Sequence, residues 1–224
     1  MPTCLIVGAS RGIGRELARQ YAGDGVRVIA TYRHAQDAAA LTQMGARAVR
    51  ADLLEDGWPQ ALARAIDGEA LDLVIVNAGV SGPQAAAPAA PDRADFDAVM
   101  RTNVLATMQL IPCVADALAA RGGKLAVVSS RMGSIGCTSE GSMWLYRASK
   151  AALNSALKSA SIALGARGVV CMALHPGWVQ TDMGGRGADL RVEDSVTSLR
   201  RVIAAVNRSH NGRFLNYNGE QIEW

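Results

Sequence analysis

Short apolar runs and amphipathic stretches alternate along the whole chain. The runs are Cys4–Val7, Val26–Thr31, Ala46–Arg50, Leu71–Val76, Leu125–Val128, Val169–Leu174 and Phe214–Tyr217. Several are rich in Val and Ile without polar alternation, the pattern of strands covered on both faces. Between them, apolar positions recur at helical spacing near Gly12–Ala22, Ala35–Gln43, Trp58–Ile66, Asp92–Ala120, Tyr146–Leu164 and Val192–Val206. This alternation predicts an α/β fold: a doubly wound parallel sheet of seven strands with helices on both faces. Right-handed crossovers favour the strand order 3-2-1-4-5-6, with the seventh strand added at the edge. No internal repeat is present, and residues 1–224 are expected to form one domain. Gly82–Pro91, rich in Ala and Pro, reads as a loop, as do Gly133–Ser142 and Gly184–Gly187, the last expected to be mobile. All three follow strands at their C-terminal ends, where open α/β sheets bind ligands.

Composition removes several alternatives. The chain has 224 residues, half of them hydrophobic, which suffices for a well-buried core. Net charge is +3, from 23 basic and 20 acidic residues that are dispersed, so neither nucleic acid nor a membrane surface is an expected partner. No apolar stretch approaches the roughly 18 residues of a membrane span. Met1-Pro2 leads into Cys4-Leu5-Ile6-Val7 without a basic n-region or cleavage site, which argues against a signal peptide. Cys4, Cys113, Cys137 and Cys171 form no Cys-x-x-Cys pair, and the three histidines are scattered. The expectation is no metal site, and reduced thiols in a cytoplasmic protein.

Two motifs carry chemistry. The first strand runs into Gly8-Ala9-Ser10-Arg11-Gly12-Ile13-Gly14 at the mouth of a helix. Glycines let backbone approach a pyrophosphate closely, and the helix N-terminus offers free N–H groups, so this turn points to a dinucleotide in a Rossmann-like fold. Close packing alone is the competing explanation. The second strand ends Ala30-Thr31-Tyr32-Arg33-His34, with no acid before Asp37 to bind a ribose 2′-hydroxyl. Arg33, with Arg11 on the same side, suits a 2′-phosphate, so NADP(H) is preferred and NAD(H) remains possible; solvated arginines are the alternative. The second motif is Tyr146 and Lys150, four residues apart on a helix and therefore on one face. A cation one turn away is expected to lower the phenol pKa from about 10 and make it a proton-transfer group.

These residues resemble the short-chain dehydrogenase/reductase family along nearly the full chain. Gly8-x-x-x-Gly12-Ile13-Gly14 is similar to its cofactor turn, Asp52-Leu53 to its adenine contact, and Asn77-Ala78-Gly79 to its Asn-Asn-Ala-Gly element. Asn103 in Arg101-Thr102-Asn103-Val104, Ser130 in Ser129-Ser130-Arg131-Met132-Gly133, and the pair Tyr146 and Lys150 match its catalytic tetrad. His175-Pro176-Gly177-Trp178-Val179-Gln180-Thr181 resembles the element that closes over nicotinamide, bringing Pro176, Gly177, Val179 and Thr181 to the cofactor. The stretch around Tyr146, the run from Trp178 to Gly185 and the ending Asn216–Trp224 are similar to C-factor/sniffer-type carbonyl reductases. There are departures: Val7 and Val76 replace the usual Thr and first Asn, and Ser130 precedes Tyr146 by 16 residues, a few more than usual.

The resemblance implies hydride transfer between nicotinamide and a carbonyl or secondary alcohol. Tyr146 would serve as general acid or base, Lys150 as its pKa-lowering partner and ribose holder, and Ser130 as the group holding the substrate oxygen. Asn103 would anchor a water linking Lys150 to solvent. Each also has a plainer reading: Ser130 as the cap of a turn, Asn103 as satisfying a helix kink, Lys150 as a surface charge. Met132, Trp144, Trp178 and Met183 are candidates for an apolar substrate pocket, or are ordinary core and loop hydrophobes. A C-factor-type signalling or binding module, and a structural subunit of a larger reductase, are the rival functions. A homo-oligomer, dimer or tetramer, is expected through the helix carrying Tyr146, which is lined with Ala152, Ser155, Ala156, Ser159 and Ala160.

Overall fold

The computed structural model describes residues 1–224. Seven parallel strands, β1 (Thr3–Val7), β2 (Arg27–Tyr32), β3 (Arg47–Arg50), β4 (Leu73–Val76), β5 (Lys124–Val128), β6 (Val170–His175) and β7 (Arg213–Asn216), form one sheet. Their order is β3-β2-β1-β4-β5-β6-β7, as the alternation pattern and crossover rule predict. The helices are α1 (Gly12–Gly23), α2 (Gln36–Gln43), α3 (Trp58–Ala65), α4 (Arg93–Met100), α5 (Ala106–Ala119), α6 (Trp144–Gly165) and α7 (Val192–Ala205).

Strand pleating divides the core into two layers. Leu5 and Val7 of β1, Val74 and Val76 of β4, and Leu125 and Val127 of β5 pack with Leu62 of α3, Leu110 and Leu118 of α5 and Leu157 of α6. Cys4, Ile6, Ile75, Ala126 and Met172 face the other way, against Leu17 of α1, Leu41 of α2 and Leu199 of α7. Burial on both faces explains why these strands read as continuous apolar runs.

Two expectations need correction. The helix anticipated over Asp92–Ala120 is interrupted: Asp92 caps α4 by accepting from Ala94 N at 2.6 Å, and a π-helical turn spans Arg101–Leu105 before α5. Counted together, Arg93–Ala119 is long and apolar enough by length and composition to cross a membrane, contrary to the reading of short apolar stretches. It lies against the sheet, with Val99, Val104, Leu110, Val114 and Leu118 buried, as a core helix does. The turn at 184–187 is tied at its start by three hydrogen bonds: Gly184 N donates to Thr181 Oγ1 at 3.1 Å, Gly185 N to Thr181 O at 2.8 Å, and Trp178 Nε1 to Gly184 O at 2.9 Å.

Candidate active site

The strand order reverses direction at the β1–β4 border, so the loops leaving these strands diverge and a crevice opens at their C-terminal ends. On the β1 side the crevice is made of backbone. Gly8 has φ +85°, and a Cβ there would stand 2.7 Å from the Ala78 backbone; a Cβ on Gly14 would stand 2.0 Å from the Gly8 carbonyl oxygen. Asn77 Nδ2 donates to that same oxygen at 2.8 Å, and Gly8 N donates to Thr31 Oγ1 at 2.9 Å. The turn is thus stitched to both neighbouring strands, and Asn77, read from sequence as a cofactor contact, also pins it. Thr181 packs against Gly12, its Cγ2 3.3 Å from where a Cβ would lie.

Two adjoining cavities share Arg11, Asn77 and Gly79. The outer one, about 440 Å³, is bordered by Gly8, Ser10, Arg33, Asp52, Leu53 and Ala78. Thr31, Tyr32 and His34 also border it, as does Asp37, the first acid after β2. Arg33 Nε donates to His34 Nε2 at 2.8 Å, and Asp52 Oδ1 accepts from Leu54 N at 3.1 Å. The inner cavity, about 370 Å³, is bordered by Gly12, Ile13, Tyr146, Lys150, Pro176 and Thr181, with Asp182 and Met183 at its rim. Val179 is buried behind it in a bridge to Leu190. Gly177, at φ +84°, leaves room for the Leu190 side chain, whose Cδ1 would be 2.3 Å from a Cβ. Both volumes fall in the range of small-molecule sites. Between the cavities, Arg11 Nη1 meets Asp182 Oδ2 at 2.7 Å, with both side chains about three-quarters exposed (70% and 74%).

The β5 and α6 side is built from buried polar side chains. Tyr146 and Lys150 face the cleft, 8% and 4% exposed, with Lys150 Nζ 5.8 Å from the phenol ring centre. Nζ donates to the Val128 carbonyl at 3.0 Å. Ser130, two residues beyond β5, caps the short 3-10 turn Arg131–Gly133, its Oγ accepting from Met132 N at 3.2 Å. Asn103 sits in the π-helical turn. Its Oδ1 accepts from Val80 N at 2.8 Å, and its Nδ2 donates to Val80 O at 2.8 Å and to Ser149 Oγ at 2.9 Å. Ser149 Oγ in turn donates to Tyr146 O at 2.8 Å. Gly79 lies between the two: a Cβ on it would stand 3.3 Å from Asn103 Oδ1 and 3.4 Å from Lys150 Nζ.

The electrostatics correct one expectation. Burial raises the Tyr146 pKa above its ordinary value, and the group that draws it back is the Ser130 hydroxyl, not Lys150. Lys150 shares the same dry environment, and burial lowers its own pKa to about 8. The Asn103 amide is committed to Val80 and Ser149 and makes no direct bond to Lys150. His175, at the end of β6, has its pKa lowered to about 4 by burial and by Arg131, which keeps it neutral; its Nδ1 is buried without a partner.

Of the four candidate pocket hydrophobes, Met183 borders the inner cavity. Trp144 instead hangs its Nε1 on Ala89 O at 3.1 Å, and Trp178 points its Nε1 at Gly184 O. Met132 is partly buried in the 3-10 turn and borders neither cavity. Sequence reasoning missed Thr31, Asp182, Ser129 and Asn154. The last two are bonded to each other, Ser129 Oγ donating to Asn154 Oδ1 at 2.6 Å. Asn154, four residues beyond Lys150, was findable from helical spacing. Asp182 was not, because its partner lies 171 residues away.

The arrangement joins a backbone cradle fit for a dinucleotide's phosphates to a protonated phenol in a dry recess. Comparison with known proteins places the chain among dehydrogenases and reductases. A family model described as short chain dehydrogenase matches residues 2–189. The protein named C-signal, from Myxococcus xanthus, is 43% identical over 157 residues, covering 69% of this chain and 93% of that protein. The solved structure of carbonyl reductase Sniffer of D. melanogaster has a TM-score of 0.92 and 29% identity, covering 100% of each chain. NADPH-bound carbonyl reductase from chicken fatty liver has a TM-score of 0.86 and 27% identity, covering 100% of this chain and 99% of that one.

Proposed function

The chain belongs to the short-chain dehydrogenase family, and from that premise we propose that it is an NADPH-dependent reductase of carbonyl compounds with Tyr146 as its general acid. The observation that carries this reading is Tyr146 itself, a buried phenol next to Ser130 and Lys150 at the inner end of a glycine-walled cleft. The close approaches at Gly8 and Gly14 fit a dinucleotide backbone, and Arg11 and Arg33 favour a 2′-phosphate despite Asp37 nearby. NADH remains the alternative hydride source, and comparing kcat/KM for the two cofactors decides between them.

A nicotinamide held in the inner cavity among Gly12, Ile13, Lys150 and Pro176 would supply the hydride for the carbonyl carbon. As the carbonyl oxygen gains negative charge, Ser130 Oγ donates a hydrogen bond to it and Tyr146 Oη transfers its proton. The raised pKa keeps Tyr146 protonated at neutral pH, the form that reduction requires. In the oxidative direction the phenolate is the base, so oxidation gains as pH rises. Lys150, titrating near 8, holds its charge on the Val128 carbonyl at neutral pH and gives up a proton readily above it.

Tyr146→Phe deletes one oxygen. With a reactive diketone or quinone as substrate, kcat is expected to fall by about 10²- to 10⁴-fold while NADPH binding is retained. Reduction at the parent rate overturns the assignment. Similarity to C-signal supports a second reading, a nucleotide-dependent signalling or binding module. That reading is favoured if a Tyr146→Phe protein that binds NADPH keeps the biological activity of the parent. We further propose self-association through the outward face of α6, where Ser155, Ser159 and Ile162 are exposed; light scattering at micromolar concentration tests it.

A further inference from the structure

Tyr146, Lys150 and Asn154 follow one another at four-residue steps along a single face of α6. Asn154 lies behind the cleft, 3% exposed. Its neighbours Leu153 and Leu157 are what this depth of the core usually holds. A buried amide is costly unless its donor and acceptor are both used. Here both are: Oδ1 accepts from Ser129 Oγ at 2.6 Å, and Nδ2 donates to the Gly133 carbonyl at 3.2 Å.

The two partners bracket Ser130, one residue before it and three after. Between them the chain makes a 3-10 turn capped by Ser130 Oγ itself. The turn is pressed onto α6, since a Cβ on Gly133 would stand 2.6 Å from Lys150 Cβ. A segment held at both ends by one side chain of the helix that carries Tyr146 has a fixed distance to that helix. We propose that Asn154 is a positioning residue that sets where the Ser130 hydroxyl stands relative to the Tyr146 phenol. The inference rests on reading Ser130 and Tyr146 as the proton-transfer pair. Asn154 touches neither substrate nor cofactor and acts through residues 129–133 alone.

Asn154→Leu keeps the γ-branched shape of the side chain, adds volume and removes both bonds. It is expected to lower kcat for carbonyl reduction by about 10- to 100-fold, the scale of a misplacement near 1 Å, without changing the Kd for NADPH. The alkaline limb of the reduction profile also moves. Reduction needs protonated Tyr146, and the Ser130 hydroxyl lowers the phenol pKa, so a displaced Ser130 shifts the limb to higher pH. Lys150 on α6, Arg131 on the 3-10 turn and neutral His175 at the end of β6 are the other titratable groups around this corner, and the variant leaves all three in place. In a Ser130→Ala background, Asn154→Leu is expected to cost little more, because the residue through which it acts is gone. Full additivity in that cycle, or a parent-like kcat and pH profile, overturns the proposal. If Asn154→Leu does not fold, Ser129→Ala removes one of the two bonds and is read against the same cycle. Parent-rate reduction by Tyr146→Phe is a separate failure, of the proposed function itself.

Discussion

Around Gly8 the cleft is made of main chain and solvated charge, and around Tyr146 it is made of buried side chains. In the first region specificity comes from what is missing, a Cβ at Gly8 and Gly14, and from arginines that reach into water. In the second, Asn103, Ser149, Tyr146, Lys150 and Asn154 are nearly inaccessible, and most of their polar atoms already have partners. A backbone cradle fails by steric clash, all at once, whereas an exposed charge fails by degrees and leaves the fold alone. A buried network lies between these, since each member is coupled to the next.

That contrast can be broken in four places. The largest effect is expected for Gly14→Val, whose Cβ would fall 2.0 Å from a carbonyl oxygen. Overpacking backbone against backbone should cost more than about 3 kcal/mol and abolish NADPH binding. A thermal midpoint within a degree of the parent would show the cradle to be soft. Next is Lys150. Its folded pKa of about 8 lies below its ordinary value of 10.5, so between those pH values the unfolded chain binds the extra proton. Stability therefore rises with pH across that window, by up to roughly 3 kcal/mol, and Lys150→Met should lose this rise. Urea unfolding of both proteins at several pH values checks it, and parallel curves would mean that the lysine is effectively hydrated.

The exposed charges come last. Arg33→Ser should reduce kcat/KM with NADPH by about 10- to 100-fold, spare NADH and leave the thermal midpoint unchanged. Equal losses for both cofactors would move Arg33 away from the 2′-phosphate. Asp182→Asn is the mildest. Its carboxylate competes with cofactor phosphates for Arg11, so NADPH should bind about two- to five-fold more tightly at low salt, with the gain fading as salt is added. Weaker binding instead would mean that the ion pair clasps the cofactor.

The same contrast decides what could be read from sequence. Gly8, Gly12 and Gly14 stand out because the local backbone demands them, and β1, β4 and β5 because burial on both faces makes each a continuous apolar run. The strand order follows from the handedness of the crossovers. Tyr146 and Lys150 are close in sequence, so their spacing is visible, but the sign of the electrostatic effect between them is not. That sign depends on burial, which raises the phenol pKa and depresses the lysine's, and the residues that close over Lys150, Gly79, Val128 and Gly133, lie far from it in sequence. The break in the predicted helix over 92–120 was hidden for a similar reason. Nothing in Arg101–Leu105 is a helix breaker, and the partners of Asn103 are Val80 and Ser149, far away in the chain. Trp144 and Trp178 are, by residue type alone, either pocket or loop hydrophobes, and the loop carbonyls that hold their indole nitrogens are not visible in a sequence.

The contact of Thr181 on Gly12, with Arg11 meeting Asp182 beside it, joins segments about 170 residues apart. Such contacts carry a large loop-closure cost and form only after the chain between them has collapsed. The first strand and its glycine turn can exist early, but the wall opposite them arrives with the segment after β6. During synthesis, a nucleotide would therefore find no complete pocket until about four-fifths of the chain had emerged, and its stabilising effect would come at the end of folding.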